Sequence, residues 1–191
     1  MLFNHLYQRT MRWSRAPHAP WYLAGLSFAE SSFFPIPPDV MLAPMSLAQP
    51  ARAWNFAFIT TVASVLGGLF GYAIGYFAID AIEPWIHKAG YWDNYQKAHA
   101  WFDEWGFWAV FIAGFSPIPY KVFTIAAGGL SMALGPFALA SIIGRGARFY
   151  LVAGLLAWGG PRMEAMLAKY VEWIGWATVA IAVVAYLILR G

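Results

Sequence analysis

Between Arg52 and Asp80 the chain runs from Ala53 to Ile79 without a single Asp, Glu, Lys or Arg. A helix needs about 20 apolar residues to cross a bilayer. In lipid every backbone polar group must be satisfied within the segment, so this run predicts a transmembrane helix over 53–79. The wider composition agrees: of 191 residues, 61% are hydrophobic and 11% charged, where soluble domains carry roughly a quarter charged residues. The length suits a single membrane domain, 1–191. Gly67, Gly71 and Gly75 recur at i, i+4 and i+8, which lays a smooth strip along one helix face where another backbone can approach. The chain has no cysteine, which excludes disulfides, thiolate metal centres and cysteine nucleophiles. Its net charge of +3 is dispersed. With no basic stripe, the balance speaks against nucleic acid and fits loops facing anionic lipid.

Other segments are less regular. Val122–Gly144 is uncharged, but it contains Gly128, Gly129, Gly135 and Pro136 and follows Pro117 and Pro119, so it is long enough to span yet built to bend. Transmembrane helices are expected over 145–161 and 173–189. Residues 1–16 place Leu2, Phe3, Leu6, Tyr7 and Met11 on one side and Arg9, Arg12 and Arg15 elsewhere, the pattern of a helix lying in the membrane plane. Residues 80–105 combine most of the acidic groups with Trp85, Trp92, Trp101 and Trp105, which suits an amphipathic segment anchored among headgroups. The arginine-rich start favours a cytoplasmic N-terminus.

The most informative feature is a repeat. Phe33-Phe34-Pro35-Ile36-Pro37-Pro38-Asp39-Val40 aligns without gaps with Phe115-Ser116-Pro117-Ile118-Pro119-Tyr120-Lys121-Val122. Proline lacks the backbone donor and clashes with the preceding turn, so each copy breaks any helix it enters. Broken backbone at membrane depth is tolerated only inside protein or along a cavity, and paired breaks in two halves of a chain point to a transporter-like site. Two re-entrant elements are therefore expected, over 21–52 and 106–144. The one span between them sets them in opposite orientations, as inverted repeats. The resulting fold class is an all-α multi-pass membrane protein, with two proline-broken hairpins, about three transmembrane helices and interfacial helices.

Asp39 in the first copy stands where Lys121 stands in the second, and Glu30 adds a carboxylate before the first break. An ionisable group at the bilayer centre costs roughly 3 kcal/mol or more, so such groups are paired or functional. Glu30 and Asp39 are candidates for proton coupling. Lys121, Arg145 and Arg148 are candidates for binding an anionic headgroup, beside the breaks at Pro35, Pro37, Pro38, Pro117 and Pro119.

In these residues the chain resembles the DedA family, related to the SNARE-associated Golgi protein group, and in particular its short Pro-Ile-Pro branch. The likeness covers roughly Leu23–Tyr150. It rests on Glu30 and the Pro35–Asp39 run, and on Phe115, Pro117, Lys121, Ala127-Gly128, Met132, Phe137 and Gly144. The resemblance implies two re-entrant hairpins pointing at each other, and movement of membrane lipids or lipid-linked phosphates between leaflets of a bacterial inner membrane, tied to the proton gradient and membrane homeostasis. The chain departs from the family at two places. Members carry an arginine shortly before the proline matching Pro117 and another just after it. Here no arginine lies between Asp103 and Pro117, and Lys121 fills the second place. The family's asparagine and tryptophan near the motif's end correspond to Ser141 and Arg148. Because lysine is a point charge rather than a planar fork, Arg145 or Arg148 is expected to supply the missing guanidinium.

Enzyme readings fail on the residues. His5, His18, His87 and His99 all lie outside the candidate spans, so a serine there has no imidazole base. No HExxH, Walker or dinucleotide motif occurs, and neither a cofactor nor a metal is implied. A membrane scaffold that docks a partner through residues 80–105 stands as the alternative to a transporter. An ion channel would need a charge ring or carbonyl filter, and none is present in the sequence.

Overall fold

The computed structural model describes residues 16–34, 36–116 and 119–159. Pro35, Pro117, the helix expected over 1–16 up to Arg15, and the span expected over 173–189 lie outside them. Among the described residues all regular structure is helical: α1 (Ala19–Ser32), α2 (Asp39–Ala48), α3 (Ala53–Lys88), α4 (Trp92–Phe115), α5 (Tyr120–Gly129) and α6 (Leu134–Gly159). A short 3-10 turn, Pro50–Arg52, leads into α3. Pro50–Lys88 and Leu134–Gly159 are long and apolar enough to cross a membrane.

Each Pro-Ile-Pro copy ends one helix and begins another. α1 stops at Ser32, and Pro38 caps α2 with φ −67° and ψ −16°. In the second copy Ser116 takes ψ 163°, the extended backbone required of a residue that precedes proline. Pro119 then leads into α5. Pro136 sits in the first turn of α6, where a missing N–H has no partner to lose.

Element ends differ from the sequence expectation at three places. The helix starting at Ala53 continues through Asp80 and Pro84 to Lys88. Charge ends the stretch suited to hydrocarbon without breaking the backbone ladder. The polar segment 80–105 is consequently the end of α3 and the start of α4, joined at Gly90. That residue has φ +75° and forms a Schellman cap, in which Tyr91 N–H bonds the Ile86 carbonyl and Gly90 N–H the His87 carbonyl. The uncharged run 122–144 is divided by an equivalent cap at Ser131, φ +53°, with Met132 N–H on the Ala127 carbonyl. One helix, α6, therefore carries the residues of both the expected element ending at 144 and the expected span starting at 145.

The strip of small residues on α3 receives both broken elements. A Cβ at Gly67 would land on the Phe28 carbonyl of α1, and one at Gly75 on the Ile125 carbonyl of α5. Gly71 faces both helices, Thr124 on one side and the Ser31 carbonyl on the other. Ser32 Oγ fastens α1 to the same strip through the Gly67 carbonyl at 2.9 Å. Tyr72 and Tyr95 hold the α5–α6 turn, donating to the Met132 and Gly129 carbonyls at 2.6 and 2.8 Å.

Two apolar clusters lie along the bundle. One joins Leu23, Leu42, Met45, Phe56 and Phe149, and the other Phe102, Val110, Tyr120, Met132 and Phe137. On α3 and α6 the sequence between the two clusters is polar and buried: Thr60, Thr61 and Ser64 on the first, Ser141 and Arg145 on the second. Phe70, Phe77, Leu139, Ile142 and Leu155 are exposed on the outer faces, as expected of surfaces solvated by lipid.

Close helix packing makes Gly75 intolerant of a side chain. Gly75→Ala is expected to destabilise the protein by about 1–3 kcal/mol through overpacking. Gly25→Ala, in open space on α1, is expected to be neutral or to gain up to about 1 kcal/mol from helix propensity. Denaturant unfolding in detergent micelles, followed by helical circular dichroism, checks both.

Candidate functional site

The polar layer is organised by two arginines on one face of α6. Arg145 and Arg148 are three residues apart, so both project toward α1 and the breaks. Arg145 is 3% exposed. Its Nη2 donates to Glu30 Oε2 at 2.5 Å and to Ser31 Oγ at 3.2 Å, and its Nε to Ser64 Oγ at 2.5 Å. Ser31 and Ser64 share a hydrogen bond of 2.7 Å between their hydroxyls. Two rings pack against the guanidinium, whose central carbon is 4.8 Å from the Tyr120 centroid and 4.6 Å from that of Phe149. Tyr120 is itself buried and donates to Ser141 Oγ at 2.6 Å. α1, α3, α5 and α6 each contribute to this one cation. Its Nε and Nη2 hydrogens are thus engaged.

Arg148 is placed differently. Its Nη2 donates to Asp39 Oδ2 at 2.7 Å, and its Nη1 to the Ser116 carbonyl at 2.7 Å. Asp39 opens α2 after the first break, and Ser116 ends α4 at the second, so one guanidinium joins the two repeat copies. Lys121, the second residue of α5, makes another link, with Nζ donating to the Phe34 carbonyl of the first break at 3.2 Å. Arg148 Nε and Asp39 Oδ1 are buried and lack a hydrogen-bond partner. The side chains of this outer pair are 19% and 25% exposed, against 4% and 14% for Arg145 and Glu30. Thus the outer pair is the one with access and with unused donor and acceptor capacity.

All five charged candidates from the sequence gather here, as two acid–arginine pairs and one lysine. Asp39 and Lys121, which occupy equivalent places in the repeat, pair with other groups rather than with each other. Among the described residues no carboxylate pairs with Lys121. The prolines at 37, 38 and 119 flank the cluster. Ser31, Ser64, Ser116 and Tyr120 were not singled out by sequence reasoning. Ser64 was within reach of it, because it extends the strip of Gly67, Gly71 and Gly75 by one turn. Tyr120 gave no such signal. No group of three or more metal-ligating side chains occurs among the described residues.

Removing one partner of a buried ion pair leaves a charge uncompensated, so Arg145→Leu is expected to cost about 3–5 kcal/mol. Glu30→Gln combined with Arg145→Leu should recover part of the loss. A double-mutant cycle measured by denaturant unfolding in micelles reads the coupling.

Comparison with known proteins identifies the family. The sequence profile of the VTT domain matches residues 36–157. An uncharacterized protein of Haemophilus influenzae is 51% identical over 189 residues, covering 99% of this chain and 98% of that one. One from Histophilus somni is 50% identical over 189 residues, 99% of each. Undecaprenyl phosphate transporter A of Staphylococcus aureus is 31% identical over 106 residues, 52% of each chain. No solved structure matches. The VTT profile runs from Ile36, within the first proline break, through the second break and both arginines of α6, and the chain belongs to the VTT-domain family, the DedA and SNARE-associated group.

Proposed function

We propose that this protein is a DedA-type transporter of the bacterial inner membrane that moves a lipid-linked phosphate between leaflets. In this reading the two broken elements are re-entrant and meet from opposite sides. The observation that carries it is the Arg148 guanidinium, which joins both breaks while keeping a buried, unused Nε donor. A purely structural clamp would have little reason to strand a charged donor, because an unmade hydrogen bond to a buried group costs roughly 1–3 kcal/mol. A phosphate oxygen would satisfy it. The partial likeness to an undecaprenyl phosphate transporter supports the same chemistry.

In this reading the candidate residues take different parts. Arg145 and Glu30 form the structural core of the site, and Arg148 and Lys121 face the headgroup. Together these two replace the arginines that the family carries around the second proline. Arg148 supplies the planar fork, and Lys121 a mobile point charge on the opposite break. Asp39 is the group through which protons couple. It holds Arg148 in an ion pair, and loss of that hold frees the guanidinium for substrate. Its place in the first turn of α2 also puts the positive end of a helix beside the incoming phosphate.

Fluorescent-lipid translocation in proteoliposomes tests the assignment. A charge-assisted hydrogen bond is worth about 1.5–3 kcal/mol, so Arg148→Gln is expected to slow translocation by roughly tenfold or more, with Arg148→Lys only partly restoring it. Asp39→Asn should also impair transport. Wild-type rates in all three variants would rule out this site. Water access gives a second check in this cysteine-free chain: single cysteines at Ile36, Asp39 and Lys121 should react with a membrane-impermeant thiol reagent. Complete protection would favour a closed scaffold.

A further inference from the structure

The two repeat copies are built with unequal freedom. After each break the chain returns through a helix of 10 residues, α2 in the first copy and α5 in the second. α5 is tied along its whole length. At its start Tyr120 donates to Ser141 of α6. Further along, its backbone lies directly on α3, since a Cβ at Gly75 would meet the Ile125 carbonyl and one at Gly128 the Tyr72 carbonyl. Tyr72 and Tyr95 then hold the turn that follows.

α2 lacks such ties. Among the described residues, its only side-chain hydrogen bond to another element is the one Asp39 accepts from Arg148. Its core contacts are apolar: Leu42 and Met45 lie with Leu23, Phe56 and Phe149, and Met41 packs against them. Apolar contact is non-directional, and thioether side chains repack readily. Pro44 stands inside the helix. It has no N–H for the Val40 carbonyl and its ring crowds that carbonyl, so a bend falls here more easily than elsewhere in α2. Burial changes at the same place. Pro44, Met45, Ser46 and Leu47 are buried, whereas within 39–43 only Leu42 is. Ser46 Oγ, just past the proline, is buried with no hydrogen-bond partner. A serine hydroxyl that takes the carbonyl four residues back bends its helix, and here that carbonyl belongs to Leu42.

We infer that Pro44 is a hinge, about which the first turn of α2 swings and carries Asp39 away from Arg148 while α5 stays in place. The motion exchanges one hydrogen bond for another. Asp39 gives up the Arg148 Nη2 hydrogen, and in the bent helix Ser46 Oγ donates to the Leu42 carbonyl. Arg148 keeps its bond to the Ser116 carbonyl of the second break, so the guanidinium stays with the fixed copy, and its Nη2 and Nε are left free for a ligand. The site thus opens on the side of the first copy alone. That this opening admits a headgroup rests on the transport reading above; the motion itself does not.

Pulsed dipolar spectroscopy on the full chain in liposomes tests the hinge, because a chain without cysteine accepts spin labels at chosen pairs. One label goes on Val40→Cys, or on Val122→Cys in α5, and the other on Leu155→Cys in α6, all exposed positions. The 40–155 pair is expected to give two distances and the 122–155 pair one. Asp39→Asn should enlarge the second 40–155 population. Pro44→Ala restores the helical bond and should shrink that population by roughly tenfold or more. Ser46→Ala removes the hydroxyl that supports the bend and should shrink it with Pro44 in place. A single narrow 40–155 distance in both the wild type and Asp39→Asn would overturn the hinge, as would a second population that neither Pro44→Ala nor Ser46→Ala reduces. Two distances for 122–155 would overturn the fixed role of α5. Lipid translocation in the same liposomes is read separately. If the distances behave as expected and no lipid moves, the transport reading fails and the hinge stands; if lipid moves and the 40–155 distance stays single, the reverse holds.

Discussion

A guanidinium in the middle of an apolar bundle must be compensated from every side, and the arrangement around Arg145 follows from that requirement. Glu30 supplies the counter-charge, Ser31 and Ser64 take further hydrogens, and the rings of Tyr120 and Phe149 pack against the guanidinium. These partners come from four helices, so satisfying one cation fixes the relative register of α1, α3, α5 and α6. The demand is strict because the cost of an isolated charge in a low-dielectric interior far exceeds what any single packing contact returns.

The glycine strip makes this compensation possible. Ser31 and Ser64 can share a hydrogen only because α1 lies directly against α3, and that approach requires Gly67 to lack a side chain. α5 is seated in the same way at Gly75, which brings Tyr120 over Arg145 and Lys121 toward the first break. A single helix face thus positions both Pro-Ile-Pro copies. Small residues and buried charge act together: the former set the distance, and the latter choose the register within it. The outer pair, Asp39 and Arg148, rests on this frame and is more exposed than Arg145 and Glu30.

Several of these features are written locally in the sequence. Prolines one residue apart, 35 with 37 and 117 with 119, cannot lie inside a regular helix, whereas α3 carries the single Pro84, and the spacing of Gly67, Gly71 and Gly75 marks a contact face before any partner is known. Scarcity of charge likewise singled out Glu30, Asp39, Lys121, Arg145 and Arg148. The pairings were beyond such reading. Glu30 and Arg145 are 115 residues apart in the chain, and Asp39 and Arg148 are 109, so nothing local distinguishes the actual matches from Asp39 with Lys121, which the repeat suggests. The helix that begins at Ala53 runs past Asp80 to Lys88, because lipid solvation and backbone hydrogen bonding obey different limits. Tyr120 was invisible for a related reason. Its value lies in covering a cation that arrives from α6.

The central claim is that the two proline breaks meet, bridged by Arg148 and Lys121. Cross-linking in native membranes tests it most directly, with Phe34→Cys and Lys121→Cys introduced together and treated with a short thiol-reactive cross-linker. The account predicts efficient intramolecular cross-linking of this pair and none between Phe34→Cys and a cysteine at Trp85. Absence of the 34–121 cross-link, with both cysteines shown to be reactive singly, would contradict it.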